Sequence, residues 1–262
     1  MVLGTDRRVL ALAMARMADA LGNSFLIIVL PLYIASGQIA IDGIIGGQFL
    51  GFTLTEEFLI GLVLSLFGFL NSFGQPFTGR LSDKTGRRRV FVLVGLAVLA
   101  VTNVAYAFAG SYAQLFAIRA LQGLGGAFTV PATIALVNEL ATIETRGNNM
   151  GVFNTFRLIG FGLGPVVAGG VVHGGPYHLA GIALGGYNAA FAIASLSALV
   201  SFALVVALVS DPEEVEAAAG DDLSVAVLDG ERDALLDPVF TLGVASLFMA
   251  IGIALIEPIE TQ

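Results

Sequence analysis

Seven apolar runs divide the chain, at roughly 9–35, 56–79, 90–109, 112–140, 148–172, 181–209 and 238–258. Each meets the length of about 20 residues that carries a helix across a ~30 Å hydrocarbon core. Charged residues are 12% of the total, about half the ~25% usual in a soluble domain, and the mean hydropathy is +0.89. These runs predict an all-α, polytopic membrane protein. The first run is full length and lacks a small-residue cleavage site after it, so it reads as a retained span and not a signal peptide.

The connections set the order. Residues 36–53 are rich in glycine and interrupted by Asp42 and Gln48, which marks a loop or interfacial piece. Gly110-Ser111 makes a tight turn that forces the next span antiparallel. Residues 210–237 hold ten acids, from Asp211 to Asp237, against one base, Arg232. Such a segment reads as a solvated, flexible linker. Its acidity, with a single lysine in the chain, is consistent with a high-salt cytoplasm.

Positive charge sets orientation. With the N-terminus cytoplasmic, nine Lys and Arg flank the inner ends: Arg7, Arg8, Arg80, Lys84, Arg87, Arg88, Arg89, Arg146 and Arg232. The outer loops hold none, which is the expected retention of basic residues on the cytoplasmic side.

Cysteine is absent, so disulfide and thiolate chemistry are excluded. His173 and His178 lack a neighbouring acid, and no metal site is expected there. No Ser-His, Asp-Asp or His-Glu constellation lies within the spans, and no phosphate-cradling Gly-x4-Gly-Lys-Ser/Thr loop occurs. The expectation is a protein that is not an enzyme, has no cofactor and does not bind nucleic acid.

Arg16, Arg119, Arg157 and Asp19 lie well inside the spans, away from their ends. A charge at mid-helix costs ~2.5–3.5 kcal/mol on insertion scales, so each needs a partner or a wet cavity. Asp19 lies one turn from Arg16 on the same face. The two form a local neutralising pair, or Asp19 faces a cavity with Asn23 and takes a proton or a substrate cation. Low dielectric favours the neutral form of an acid, a property a proton-coupled carrier uses. Arg119 shares a face with Gln122 in the fourth run; it either snorkels outward or faces the cavity. Arg157 binds an anionic substrate or pairs with Asp19. In the fifth run Gly160, Gly164 and Ala168 share one face, a packing surface or a hinge beside Pro165.

The eleven residues Gly79-Arg80-Leu81-Ser82-Asp83-Lys84-Thr85-Gly86-Arg87-Arg88-Arg89 lie between the second and third runs. Two glycines seven apart point to positive φ or a close approach; the charges alone would serve as a topology marker. A shift of 103 residues puts Arg16 on Arg119, Asp19 on Gln122, Gly22 on Gly125 and Phe25 on Phe128, an inverted three-plus-three repeat of the kind found in transporters.

These motifs resemble the major facilitator superfamily. The loop is similar to that family's Gly-x-Leu-x-Asp-x-x-Gly-Arg-Arg/Lys pattern between helices 2 and 3. Arg119-Ala-Leu-Gln122-Gly123 resembles its Arg-x-x-Gln-Gly motif. Gly151, Gly160, Gly164-Pro165 and Ala168-Gly169 resemble the helix-5 motif of its antiporter branches, with alanine for the usual second glycine. The resemblance implies a secondary active, proton-coupled antiporter or exporter of a small molecule in the cell membrane. Asp19, Arg16, Asn23, Arg119, Gln122 and Arg157 would line its pathway, and Gly79, Asp83, Gly86, Arg87 and Arg88 would form a gating loop. Asp83 would meet the N-terminus of a helix in the other half. Residues 1–209 match one six-helix half, 210–237 the linker, and 238–262 the first helix of a second half. Against the family's twelve helices the chain is incomplete, so a missing second half is an expected partner. The rival reading is a non-transporting, half-length membrane protein that needs a partner half.

Overall fold

A computed structural model describes residues 5–142, 144–179 and 181–211. The seventh run, residues 212–237 of the linker and the whole of 238–262 lie outside the described residues. Among the described residues, six helices are long and apolar enough to cross a membrane: α1 (Arg7–Tyr33), α2 (Glu56–Thr85), α3 (Arg88–Ala105), α4 (Tyr112–Glu139), α5 (Arg146–Gly174) and α6 (Gly186–Leu208). Successive helices alternate in direction. The end where α1 begins is called the near end below, and the other the far end.

Local chemistry explains the helix limits. The Asp6 carboxylate accepts from the Arg8 N–H at 2.7 Å and caps α1. Thr55 caps α2, followed by Glu56 and Glu57, where acids suit the helix dipole. Ser111 and Gln114 form a reciprocal capping box that starts α4 directly after the turn.

Two connections differ from the sequence expectation. Most of the basic segment is helical: α2 runs on to Thr85, and Gly86 stops it in the left-handed region (φ 62°), donating to Ser82 O at 3.0 Å. Gly79 makes no turn. It lies inside α2, where a Cβ would sit 3.3 Å from Pro131 of α4. One glycine supplies positive φ and the other close approach. The start of the sixth run is also not helix: Tyr177–Leu179 (β3) pairs antiparallel with Ile182–Leu184 (β4) before α6 begins. In the 36–53 loop, Gln48–Phe49 (β1) pairs with Phe52–Thr53 (β2) across Leu50 and Gly51, both at positive φ.

The packing has the expected inverted symmetry. α1 packs on α5 and α6, α4 packs on α2 and α3, and α3 packs on α6. Glycines allow the approaches. A Cβ on Gly164 would lie 2.9 Å from the Leu21 carbonyl of α1, and one on Gly123 2.9 Å from the Phe67 carbonyl of α2. Gly22 meets Ala194 and Ser197 of α6, and its repeat-mate Gly125 meets Gly95 and Val98 of α3.

Polar groups tie helices together through backbone carbonyls. Pro131 has no N–H, so the Ala127 carbonyl one turn back loses its helical donor. Thr78 of α2 donates to that oxygen at 2.5 Å. Ser201 of α6 bonds Ala15 O of α1 at 2.8 Å, and Ser195 bonds Ala100 O of α3 at 2.9 Å.

The buried apolar residues form two clusters. The near-end cluster includes Leu12, Leu96, Leu136, Phe153 and Val205. The far-end cluster includes Phe25, Leu30, Tyr106, Leu115 and Phe191. Between them lies a polar layer.

Candidate functional site

That middle layer surrounds a cavity of about 130 Å³. All six helices contribute. α1 brings Arg16, Asp19 and Asn23; α2 Phe67 and Asn71; α3 Asn103; α4 Gln122; α5 Arg157; and α6 Ser197. Five of the six pathway residues expected from sequence meet here. The sixth, Arg119, sits directly behind Gln122.

Arg16 Nη1 and Asp19 Oδ2 form an ion pair along α1, with side chains 17% and 10% exposed. The local pair and the cavity position are therefore one arrangement. Arg119 is 2% exposed. It does not snorkel: its guanidinium carbon lies 4.7 Å over the Phe67 ring, a cation–π contact. Its Nη1 donates to Gln122 Oε1 at 3.0 Å. Tyr106 donates to the same oxygen at 2.8 Å, and Gln122 Nε2 donates to Asn103 Oδ1 at 2.6 Å. Neutral dipoles thus hold a buried cation. Among the described residues, Arg157 donates only from Nε, to Asn154 Oδ1 at 3.4 Å.

Sequence reasoning missed Phe67, Asn71, Asn103 and Tyr106. Asn71 and Asn103 carried a usable signal, since an amide inside an apolar run needs partners. Nothing in one helix's pattern marked Tyr106 or Phe67 as neighbours of Arg119.

On α5, Gly160, Gly164 and Ala168 are buried against α1, whereas Gly169 meets open space. Gly169 is thus not part of that packing face. Pro165 lies within the helix.

The near end holds a second cluster. Arg88, at the start of α3, pairs with Asp83 of α2 at 3.1 Å and with Glu139 at the end of α4. Arg89 holds Asp211, its N–H donating to Oδ1 at 2.7 Å, and donates to Val206 O at 2.6 Å. Arg87 stands at the N-cap of α3 with no side-chain cap bond. Asp83 is thus tied within this half. Among the described residues, no group of three His, Cys, Asp or Glu gathers as a metal site would require.

The family model described as Major Facilitator Superfamily matches residues 12–259. Citrate exporter 1 of Aspergillus niger is 35% identical over 111 residues, 42% of this chain and 21% of the exporter. The chromaffin granule amine transporter of Rattus norvegicus is 27% identical over 212 residues, 80% of this chain and 37% of that protein. The crystal structure of peptide transporter POT in complex with sulfate superposes with a TM-score of 0.64 at 20% identity, covering 99% of this chain and 46% of that one. At that identity the likeness is one of fold. The chain spans less than half the length of these proteins.

Proposed function

Because the chain belongs to the Major Facilitator Superfamily, we propose that it works as a secondary active transporter of a small molecule, proton-coupled and of the antiport or efflux type. Its setting is a multi-pass membrane protein; the cell membrane and a cytoplasmic N-terminus are part of the proposal, supported by the positive charge at the near end. The observation that carries it is the Arg16–Asp19 pair on the wall of a cavity of mixed polar and apolar lining, midway between two apolar layers. Asp19 is the one carboxylate in that layer among the described residues, and so the group there that can carry a proton. The efflux direction is supported by the helix-5 motif and by the exporter among the relatives.

The near-end cluster completes the reading. Asp83, Arg88 and Glu139 join the ends of α2 and α4 to the start of α3. A gate there closes when these helix ends approach a second six-helix half, whose residues would supply the remaining cavity wall.

The test is flux in everted vesicles from cells expressing the gene product, energised with a proton gradient and challenged with a panel of organic acids and amines. Wild type is expected to dissipate the gradient on addition of a substrate, and Asp19→Asn is not. Unchanged proton-driven flux in Asp19→Asn removes that residue from coupling. Lack of flux for every compound, with and without a co-expressed second half, favours the non-transporting reading.

A further inference from the structure

The cavity wall offers acceptors at Asp19 and at Ser197, whose hydroxyl donates to Ala194 O, while donors converge from the amides and arginines, as their bonding shows. Arg119 can only donate. The atom of Gln122 that faces its Nη1 at 3.0 Å is therefore the oxygen. The other end of that amide, Nε2, is then a donor, and the atom of Asn103 facing it at 2.6 Å has to be Oδ1. Asn103 is left with its NH2 group for the cavity it lines. On α2, Gln75 Nε2 donates to Asn71 Oδ1 at 3.2 Å, which leaves Asn71 the same group.

Charge points the same way. Asp19 is already matched by Arg16. Arg157, which lines the cavity, makes among the described residues only one weak bond, from Nε to Asn154, and has no carboxylate partner there. A third arginine charge, that of Arg119, lies behind Gln122. An organic cation entering here meets a carboxylate that already has a partner, and donors on the facing walls.

We propose that the cavity binds an anion, a carboxylate or an equivalent oxyanion, with Arg157 as the charge partner and the amide groups of Asn103 and Asn71 as directional donors. Arg119 acts through Gln122 as a positioning residue that sets which end of Asn103 is presented. This assignment rests on the transporter reading and names its substrate class.

The experiment is equilibrium binding to the full chain in lipid nanodiscs at pH 7.5. The anionic probes are citrate, succinate and benzoate, and the cationic probes are tetraphenylphosphonium and ethidium. At least one carboxylate is expected to bind, and neither cation. Arg157→Gln should weaken that carboxylate about ten- to hundredfold, the range for hydrogen bonds to charged groups, and Arg157→Lys should recover most of the loss. Asn103→Asp keeps an oxygen for Gln122 and replaces the free donor with an acceptor. It should weaken binding by a similar factor. Variants are compared after circular dichroism shows native helix content, and if the glutamine variant fails to fold, Asn103→Asp decides. Binding of a cation and no carboxylate overturns the assignment. So does an absence of binding by every probe, or a carboxylate affinity unchanged in Asn103→Asp and in a folded Arg157→Gln. Flux separates the two readings. Carboxylate binding without flux in vesicles, with and without a co-expressed second half, refutes transport and leaves the anion site. Cation flux without carboxylate binding refutes the anion site and leaves transport.

Discussion

The two three-helix repeats place an arginine at matching positions and satisfy it in different ways. Arg16 on α1 meets a carboxylate one turn away, and the pair lines the cavity. Arg119 on α4 meets an amide at the matching position and is buried behind it, against Phe67 and beside Tyr106. The first arrangement is neutral as a pair and changes when a proton arrives. The second keeps its charge, because arginine does not deprotonate in proteins. On the proposed proton-coupled reading, this inverted repeat sets a titratable pair on one side and a permanent charge on the other. That division follows from a single difference, Asp19 against Gln122.

Gln122→Glu gives α4 the charge-matched pair of α1. The new carboxylate can only accept, so Asn103 turns its NH2 toward it and shows its oxygen to the cavity. Anion binding is expected to fall about tenfold or more, with helix content unchanged, as read by equilibrium dialysis and circular dichroism.

The packing seams come next, because each repeat uses glycine against a partner's carbonyl. Gly164→Leu on the α1–α5 seam and Gly123→Leu on the α4–α2 seam should each destabilise by about 1–3 kcal/mol. Gly169→Leu, facing open space, should be close to neutral. Denaturant titration in mixed micelles measures all three; equal losses at Gly164 and Gly169 would show that the seam is not tight.

Thr78→Val removes the donor to the carbonyl that Pro131 leaves free on α4. The expected loss is about 0.6–1.7 kcal/mol, the range for interhelical hydrogen bonds in membranes. In a Pro131→Ala background Ala127 O regains a helical donor, and the same change should cost less. A double-mutant cycle by thermal unfolding reads the difference.

The smallest effect separates the two helix starts. α1 is capped by the Asp6 carboxylate and α4 by neutral Ser111. The side-chain bond from Arg8 holds Asp6 below the usual carboxylate range, against a smaller opposing effect of burial. A carboxylate depressed in the fold adds stability above its unfolded value, about pH 3.9. That contribution is lost as pH falls through the lower folded value. Amide exchange at the first turn of α1 should therefore quicken in acid below about pH 4, while the start of α4 should not respond. Asp6→Asn, still a good cap, should remove the acid sensitivity.

The relatives do not agree on the charge of their cargo. By name, one of those compared exports citrate and another carries amines. The identities of 35% and 27% leave that choice open. It is the cavity's own donors, from Arg157, Asn103 and Asn71, that favour an anion.

Much of this architecture was legible in the residues alone. Apolar length marked the six described spans, because crossing a hydrocarbon core sets a one-dimensional requirement. Gly110-Ser111 and Gly86 marked turns, because backbone freedom is a local property. Arg16, Asp19, Arg119 and Arg157 stood out as charges needing a reason, and the 103-residue shift exposed the repeat. The tertiary structure alone decided what those charges meet. That Tyr106 and Asn103 turn Gln122, that Phe67 covers Arg119, and that Arg88 reaches Glu139 all depend on which helices pack and how each is rotated. A helix's own sequence carries its periodicity but not its neighbour's phase. The division between a titratable arginine pair on α1 and a fixed one on α4 was therefore visible only as two letters, Asp and Gln, until the six helices closed around one cavity.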